Sequence, residues 1–330
     1  MPVNSDFFDR FEQLTVLIVG DVMIDRYLSG RVDRISPEAP VPVVSYRGTD
    51  NRLGGAANVA LNIAALGATP ILCSVVGKDE NGTLFRKLMQ AQQLPAGGLL
   101  RSTDRPTTIK TRILAGSQQL LRVDREITDD LTDSEQARFF ELVETMLQEQ
   151  RIDAILLQDY NKGVLTEKLI GQIMEAARQR EIPVSVDPKR RNFWAYRRAR
   201  LFKPNLKEVR EGLNRPIRPT RESLQNAVSE LNDRLQNDLT LITLSEHGVF
   251  IDDRHTGALY PTTPRTIADV CGAGDTVISV ATLAMAAGLD AATVATLANL
   301  AGGQVCERAG VVPVDREQLR REFLGWVAVG

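Results

Sequence analysis

An α/β fold built on a mostly parallel central sheet is what this sequence predicts, and three observations predict it. Short unbroken apolar runs alternate with longer amphipathic ones along most of the chain. Runs without polar interruption mark strands buried on both faces, as in a parallel sheet covered by helices. Two stretches break the alternation and read as hairpins, which asks for a second, smaller sheet.

In chain order, residues 16–19 form the first apolar strand. Residues 27–47 then leave the pattern, with Tyr27, Leu28, Ser29 and Gly30 followed by Val41, Pro42, Val43, Val44, Ser45 and Tyr46. A helix at 56–66, a strand at 71–76 and a helix at 80–92 restore it. Residues 107–124 break it again, with Thr108-Ile109-Lys110-Thr111-Arg112-Ile113-Leu114 and then Leu120-Leu121-Arg122-Val123-Asp124. Alternation resumes with a helix at 134–149, a strand at 154–157, a helix at 167–180 and a strand at 183–186. A helix at 221–235, a strand at 239–244 and two Ala-rich helices at 274–287 and 291–307 complete the series. The segments 27–47 and 107–124 lack crossover helices, so they suit a small β-sheet lid standing off the main body. Such a sheet exposes a face unless something covers it, which points to a homodimer formed through the lids.

The 330 residues carry no Gly/Ser or Pro-rich linker, repeat or low-complexity segment, so a single domain over 1–330 is expected. Hydrophobic residues are 43% and charged residues 25%, ordinary for a globular protein. A net charge of −2 gives no electrostatic case for nucleic acid or an anionic membrane. No apolar run approaches the ~20 residues of a membrane span, and residues 1–13 lack the basic-then-apolar profile of a leader. Cys73, Cys271 and Cys306 lie far apart without metal-ligand spacing, which fits a reducing cytoplasm. With only His247 and His255, a Ser-His-Asp triad or a His-rich metal site is disfavoured. Chemistry here has to run on carboxylates, backbone amides and a borrowed ion.

Ligands of open α/β sheets bind beyond the carboxyl ends of the strands. Several strands here finish in an acid: Gly20 runs into Asp21 and Asp25, Gln158 into Asp159 and Tyr160, and Val186 into Asp187, Pro188 and Lys189. These carboxylates can accept hydrogen bonds from sugar hydroxyls; the plain alternative is that each caps a helix or closes a turn. Leu53-Gly54-Gly55-Ala56-Ala57-Asn58 precedes a helix. Its glycines permit close approach to the backbone and Asn58 offers an amide, although a glycine turn before a helix needs no ligand.

Asp269-Val270-Cys271-Gly272-Ala273-Gly274-Asp275-Thr276 is the most informative stretch. Gly272 and Gly274 flank a small residue at the start of a long apolar helix, so backbone N–H groups there can point at an anion. Phosphoryl transfer needs fixed dipoles around the moving group, and an acid directly after the loop can take the attacking hydroxyl's proton. Alternatively, Asp275 only complements the helix dipole, worth ~0.3–1 kcal/mol. No Lys-Ser/Thr follows the glycines, so this is not a Walker A loop.

These two motifs, in this order and separation, make the chain similar to the ribokinase-like (phosphofructokinase-B type) carbohydrate kinases over nearly its full length. The stretches Gly20 to Tyr27 and Arg34 to Val43 resemble the subgroup of D-glycero-β-D-manno-heptose-7-phosphate kinases, as do Gln118-Gln119, Asp159-Tyr160-Asn161-Lys162-Gly163 and Asp187-Pro188-Lys189. The resemblance implies a ribokinase-like three-layer sandwich with a small β-sheet lid. It implies that Asp275 deprotonates the anomeric O1 hydroxyl for attack on the γ-phosphate of ATP, while amides of Gly272, Ala273 and Gly274 hold the phosphoryl group. Asp25, Asn58 and the Gly54-Gly55 backbone would hold sugar hydroxyls. Asn205-Leu206-Lys207-Glu208 matches the family's Asn-x-x-Glu element, serving ATP with Mg2+ largely through water, though the same spacing is a capping box. Thr243, Ser245 and Gly248 would line the nucleotide, and Asn299 matches an adenine-side asparagine. Ser245 stands where many relatives carry glycine. Cys271 replaces a usual threonine, which leaves the backbone donors intact and can make the site thiol-sensitive.

A 7-phosphate needs cations away from Asp275. Lys110 and Arg112 share a strand face, and Arg122 on the neighbouring run and Lys189 after the Asp187 strand end can join them. The alternative is a solvated basic face. Two other functions stay open: a ribose- or fructose-type kinase, which a substrate panel separates, and a non-catalytic sugar-phosphate or nucleotide sensor, which ADP release excludes. Some heptose kinases are fused to a nucleotidyltransferase. The chain's end at Gly330 leads to the expectation of a kinase alone, with a separate transferase on the route to ADP-heptose for lipopolysaccharide core.

Overall fold

The computed structural model describes residues 7–116 and 118–329. The first six residues of the N-terminal stretch, and residue 117 inside the second lid segment, lie outside the described residues. The chain opens with α1 (Phe7–Phe11), β1 (Thr15–Gly20), β2 (Val22–Ile35), β3 (Pro42–Gly55) and α2 (Ala56–Ala65). It continues through β4 (Thr69–Gly77), α3 (Glu80–Ala91), β5 (Leu99–Ser102), β6 (Ile109–Ala115), β7 (Gln118–Arg125) and α4 (Asp133–Glu149). Next come β8 (Ala154–Gln158), α5 (Glu167–Gln179), β9 (Val184–Asp187), β10 (Leu201–Phe202), α6 (Leu206–Leu213) and α7 (Arg221–Leu235). The last part holds β11 (Leu239–Thr243), β12 (Val249–Asp252), β13 (Gly257–Tyr260), α8 (Ala273–Ala286), α9 (Ala291–Cys306) and α10 (Arg316–Val329).

Among the described residues a nine-stranded sheet runs β13-β12-β11-β10-β9-β8-β1-β4-β5. Its pairings are parallel except at the β11-β12-β13 edge. The apolar runs are buried on both faces as expected, because successive side chains point to opposite sides. Val16 and Ile18 enter one core with residues of α2, α8 and α9, whereas Leu17 and Val19 enter a second core with α4, α5 and α7. Helix, sheet and helix therefore form three layers.

The smaller sheet has the order β3-β2-β6-β7. Its strands reach further than the sequence signalled. β2 begins at Val22, directly after the first strand of the large sheet, and β3 runs to Gly55, so the paired glycines end a strand rather than forming a turn. Charged residues at alternate positions, such as Asp25 and Arg52, hid this extension. Each of these strands has 14 residues, roughly 45 Å of extended chain. Their inner ends join the main core through Ile24, Leu53 and Ile109. The far ends stand clear and expose Tyr46, Leu121 and Val123.

Candidate active site

Gly272 is the residue before α8, held at φ 81°, a conformation that glycine adopts without penalty. A Cβ there would meet the Asn58 amide nitrogen at 2.8 Å. At Gly274, by contrast, a Cβ would find nothing nearer than the Lys203 ammonium at 3.9 Å. The missing side chain therefore leaves a hollow at a helix start facing a buried cation, a geometry made for an anion. Asp275, one residue on, is 4% exposed. Its Oδ2 accepts from Asn58 at 2.8 Å, and its Oδ1 accepts from the Tyr160 hydroxyl at 2.6 Å and the Gln158 amide at 3.2 Å. Burial pushes its carboxyl up to about 6, against the pull of the Asn58 and Tyr160 hydrogen bonds.

A cavity of about 720 Å³ opens on the other side of this loop. Ala273 and Gly274 form one wall, and Asn205, Thr243, Ser245, Gly248 and Asn299 line it further out. The Asn299 amide donates to the Pro261 carbonyl at 2.8 Å, tying α9 to the end of β13. Ser245 sits at φ 54°, in the left-handed region that favours glycine. The capping box forms: the Asn205 side chain accepts from the Glu208 N–H, and the Glu208 carboxylate accepts from the Asn205 N–H, each at 2.8 Å. Two neighbours expected at the nucleotide are turned away by the helical period. Leu206 packs on the second core, and Lys207 is exposed and pairs with Glu211.

On the opposite side of Asp275 the small sheet contributes its inner face. Asp25 stands in register with Lys110, and Tyr27 with Arg112, so the side chains of these four residues share that face. Asp25 is bonded to the Arg112 guanidinium. The Asp25 carboxylate explains Gly54, where a Cβ would lie 2.1 Å from Oδ2. At Gly55, held at φ 63°, a Cβ would lie 2.5 Å from the Asp21 carbonyl oxygen. Cys271 lies with its sulfur 3.8 Å from Arg112. Arg122 stands opposite Arg112 as expected, but its guanidinium is half exposed and bonded to Asp124. Lys110 is different. Among the described residues no carboxylate pairs with it; its ammonium lies 5.7 Å from the Tyr160 ring centroid, and burial lowers its pKa.

The pfkB family carbohydrate kinase profile matches residues 13–317. The chain belongs to the pfkB family. It is 41% identical over 319 residues to the Bifunctional protein HldE of Citrifermentans bemidjiense, covering 96% of this chain and 65% of that one. It is 40% identical to the same-named protein of Syntrophotalea carbinolica, covering 96% and 64%. The chain thus spans a little under two thirds of the length of these relatives. Solved structures share the fold at low identity. Phosphofructokinase-2 from Escherichia coli in complex with fructose-6-phosphate matches with a TM-score of 0.77 at 17% identity, over 96% of this chain and 99% of that one. Arabidopsis thaliana ribokinase complexed with ribose and ATP matches at 0.72 and 17%, over 93% and 99%. The fold is ribokinase-like.

Within this pfkB chain the strand-end acids divide their labour. Asp21 holds a loop: its carboxylate accepts main-chain N–H groups of Tyr160, Lys162 and Val164 at 2.8–3.1 Å. Asp159, expected at the substrate, is instead turned inward, accepting from the Asn161 N–H at 2.7 Å and the Tyr196 hydroxyl at 2.7 Å. It closes a turn, the plain alternative. Asn58 also departs from expectation. It is fully buried and spends its amide on Asp275 rather than offering it to a ligand. Asp187 receives the Gln158 amide and the Lys203 ammonium, both at 3.1 Å, while its Oδ1 is buried without a hydrogen-bond donor. Lys189 does not join the lid cations but bonds Glu208 and approaches Asp187 at 3.7 Å. Sequence reasoning missed the roles of Lys203 and Gln158. The adjacency of Lys203 to the Asn205 element was the available signal for the first; nothing local distinguished the second.

Proposed function

We propose that this chain transfers the γ-phosphate of ATP to O1 of D-glycero-β-D-manno-heptose 7-phosphate, giving the 1,7-bisphosphate. The observation that carries the reading is the junction at Asp275. A carboxyl near the useful range for a general base adjoins a glycine-rich helix start. A nucleotide-sized cavity lies on one side and a cationic sheet face on the other. About 40% identity to HldE proteins over nearly the whole chain supports the heptose branch of the family.

In this reading Asp275 takes the O1 proton while the amides of Gly272, Ala273 and Gly274, with Lys203 beside them, stabilise the transferring group. Asn205, Thr243, Ser245, Gly248 and Asn299 hold the nucleotide. Asp25, freed from part of its bond to Arg112, meets sugar hydroxyls beneath the small sheet, which acts as a lid on the single kinase domain. Lys110 takes the 7-phosphate, since the other three basic candidates already hold carboxylates. The residues also fit Mg2+ carried by ATP: Glu208, Asn205 and the undonated Asp187 Oδ1 are hard oxygens suited to an ion that keeps its waters. Bound magnesium supplies positive charge to the phosphate oxygens.

The outer lid face, with Tyr46, Leu121 and Val123 exposed, fits a second copy of the chain; Leu121→Asp should yield a monomer by light scattering where the wild type is a dimer. Three thiols without disulfides fit a cytoplasmic setting, and among the described residues no helix is long and apolar enough to cross a membrane.

Phosphorus NMR of the product, with ATP and heptose 7-phosphate supplied, reports position and anomer together. Lys110→Ala should lower kcat/KM for the 7-phosphate substrate by roughly 10- to 100-fold, the value of a charge-assisted contact. It should spare unphosphorylated heptose. Equal loss on both would remove Lys110 from the phosphate site.

A further inference from the structure

The two oxygens of Asp275 are not equivalent. A carboxylate offers about two lone-pair directions on each oxygen. Oδ1 fills both, with Tyr160 at 2.6 Å and Gln158 at 3.2 Å, while among the described residues Oδ2 receives Asn58 alone, at 2.8 Å. We propose that Tyr160 is a positioning residue that, together with Gln158, saturates Oδ1 and so makes the open lone pair of Oδ2 the point that accepts the attacking hydroxyl's proton. The inference rests on reading Asp275 as the base and specifies how that base is aimed.

Three further features agree. The nitrogen that donates to Oδ2 is the one a Cβ on Gly272 would meet at 2.8 Å, so Oδ2 is the oxygen on the glycine-loop side, where a phosphoryl group would travel. The loop carrying Tyr160 is built stiffly. Asp21 fixes three of its N–H groups, Asp159 fixes a fourth, and Asn161 and Gly163 adopt φ 54° and 83°. The phenol keeps its proton at any working pH, because burial and the charge of Asp275 raise its pKa well above the ordinary value. Tyr160 is therefore a permanent donor and cannot itself be the base. The charges around the pair are Asp187 and Lys203 beside Asp275, Asp187 and Asp25 acting on the phenol, and the Lys110 and Lys189 ammonium groups 5.7 and 5.6 Å from its ring centroid. In the transfer, the hydroxyl proton passes to Oδ2. Its oxygen bonds the γ-phosphorus, and the bond from that phosphorus to the departing ADP oxygen breaks.

The test is the pH profile of kcat/KM with ATP and heptose 7-phosphate for three full-length proteins: wild type, Tyr160→Phe, and a protein with 3-fluorotyrosine at position 160. Losing a donor to a carboxylate raises its pKa. The acid limb of Tyr160→Phe should therefore move up by about one pH unit, with about tenfold lower activity at pH values below the limb and convergence with wild type in alkali. KM for ATP should not change. The more acidic fluorophenol is a stronger donor and should move the limb the other way. An unmoved limb with a raised sugar KM would instead make Tyr160 a substrate contact, and identical profiles would overturn the proposal outright. If Tyr160→Phe does not fold, the direction of the fluorotyrosine shift decides alone. Asp275→Asn separates the two levels of the argument. Full activity in that variant defeats the base itself, whereas an inactive Asp275→Asn with an unmoved limb at Tyr160 defeats only the positioning role.

Discussion

Asp159 and Asp275 are near twins by every local measure. Each follows a short motif at a strand or helix end, each is almost fully buried, and each takes a tyrosine hydroxyl, at 2.7 and 2.6 Å. Burial pushes both up to about 6, with the Asp21 charge adding to the effect at Asp159. Only their surroundings differ. The Asn161 N–H ties Asp159 into a turn of its own loop, whereas Asp275 adjoins a glycine-rich helix start whose Ala273 and Gly274 wall a cavity. A perturbed carboxyl is thus a weak pointer to chemistry, and adjacency to space that can hold reactants is the stronger one.

The sharpest way to break this contrast is to neutralise each acid in turn. Asp275→Asn should lower kcat/KM by about 10²- to 10⁴-fold, the usual scale for removing a general base, while ATP binding by calorimetry persists. Asp159→Asn keeps an acceptor for the Asn161 N–H and a partner for Tyr196, so activity should stay within a few-fold. Comparable losses in the two variants would mean that the turn at Asp159 belongs to the site after all.

The pH dependence of stability should treat the twins alike even though activity does not. Burial holds both folded carboxyls above the usual aspartate range. Between roughly pH 4 and 6 the folded chain therefore binds more protons at these positions than the unfolded chain, and their contribution to stability falls as pH rises. At pH 7 each buried charge costs roughly 1–3 kcal/mol. Melting temperatures from pH 4.5 to 7.5 should show a flatter slope in either Asn variant, with each at least as stable as wild type at pH 7. Only Asp275→Asn should abolish the acid limb of activity. In the proposed mechanism the base would weaken its own fold, an ordinary cost of function.

The sequence made one half of this contrast readable. Gly272, Gly274 and Asp275 fall within four residues of chain, so the backbone amides and the carboxylate could be placed together without knowing the fold, and the apolar periodicity set most helix limits within a residue or two. What it hid depends on long-range pairing. Asn58 offers an amide in sequence, yet its partner is Asp275, 217 residues away. Arg122 faces Arg112 as the strand period requires, but the neighbouring Asp124 already satisfies it. The short strands β12 and β13 are joined by a turn with no hairpin dipeptide, and β10 has only two residues, too few for any period to register. Asp159 was misread because an acid after a strand looks the same whether it turns toward a ligand or back to its own loop.

The smallest effect tests the stiffness of that loop. Asn161 sits at φ 54°, and its side-chain oxygen is buried without a donor, while its N–H serves Asp159 at 2.7 Å. Glycine at this position keeps the N–H, tolerates the positive φ and removes the undonated oxygen, at the expense of a more flexible unfolded chain. The balance favours Asn161→Gly by about 0.5–1 kcal/mol, a rise of about 1 °C in Tm by calorimetry. Activity should change less than about twofold, since Tyr160 is held through its own N–H by Asp21 at 2.8 Å and a single added backbone freedom is worth under about 1 kcal/mol. If the variant is more stable but markedly slower, the stiffness of residues 159–164 serves Asp275, and the two regions work as one device rather than as a scaffold beside a site.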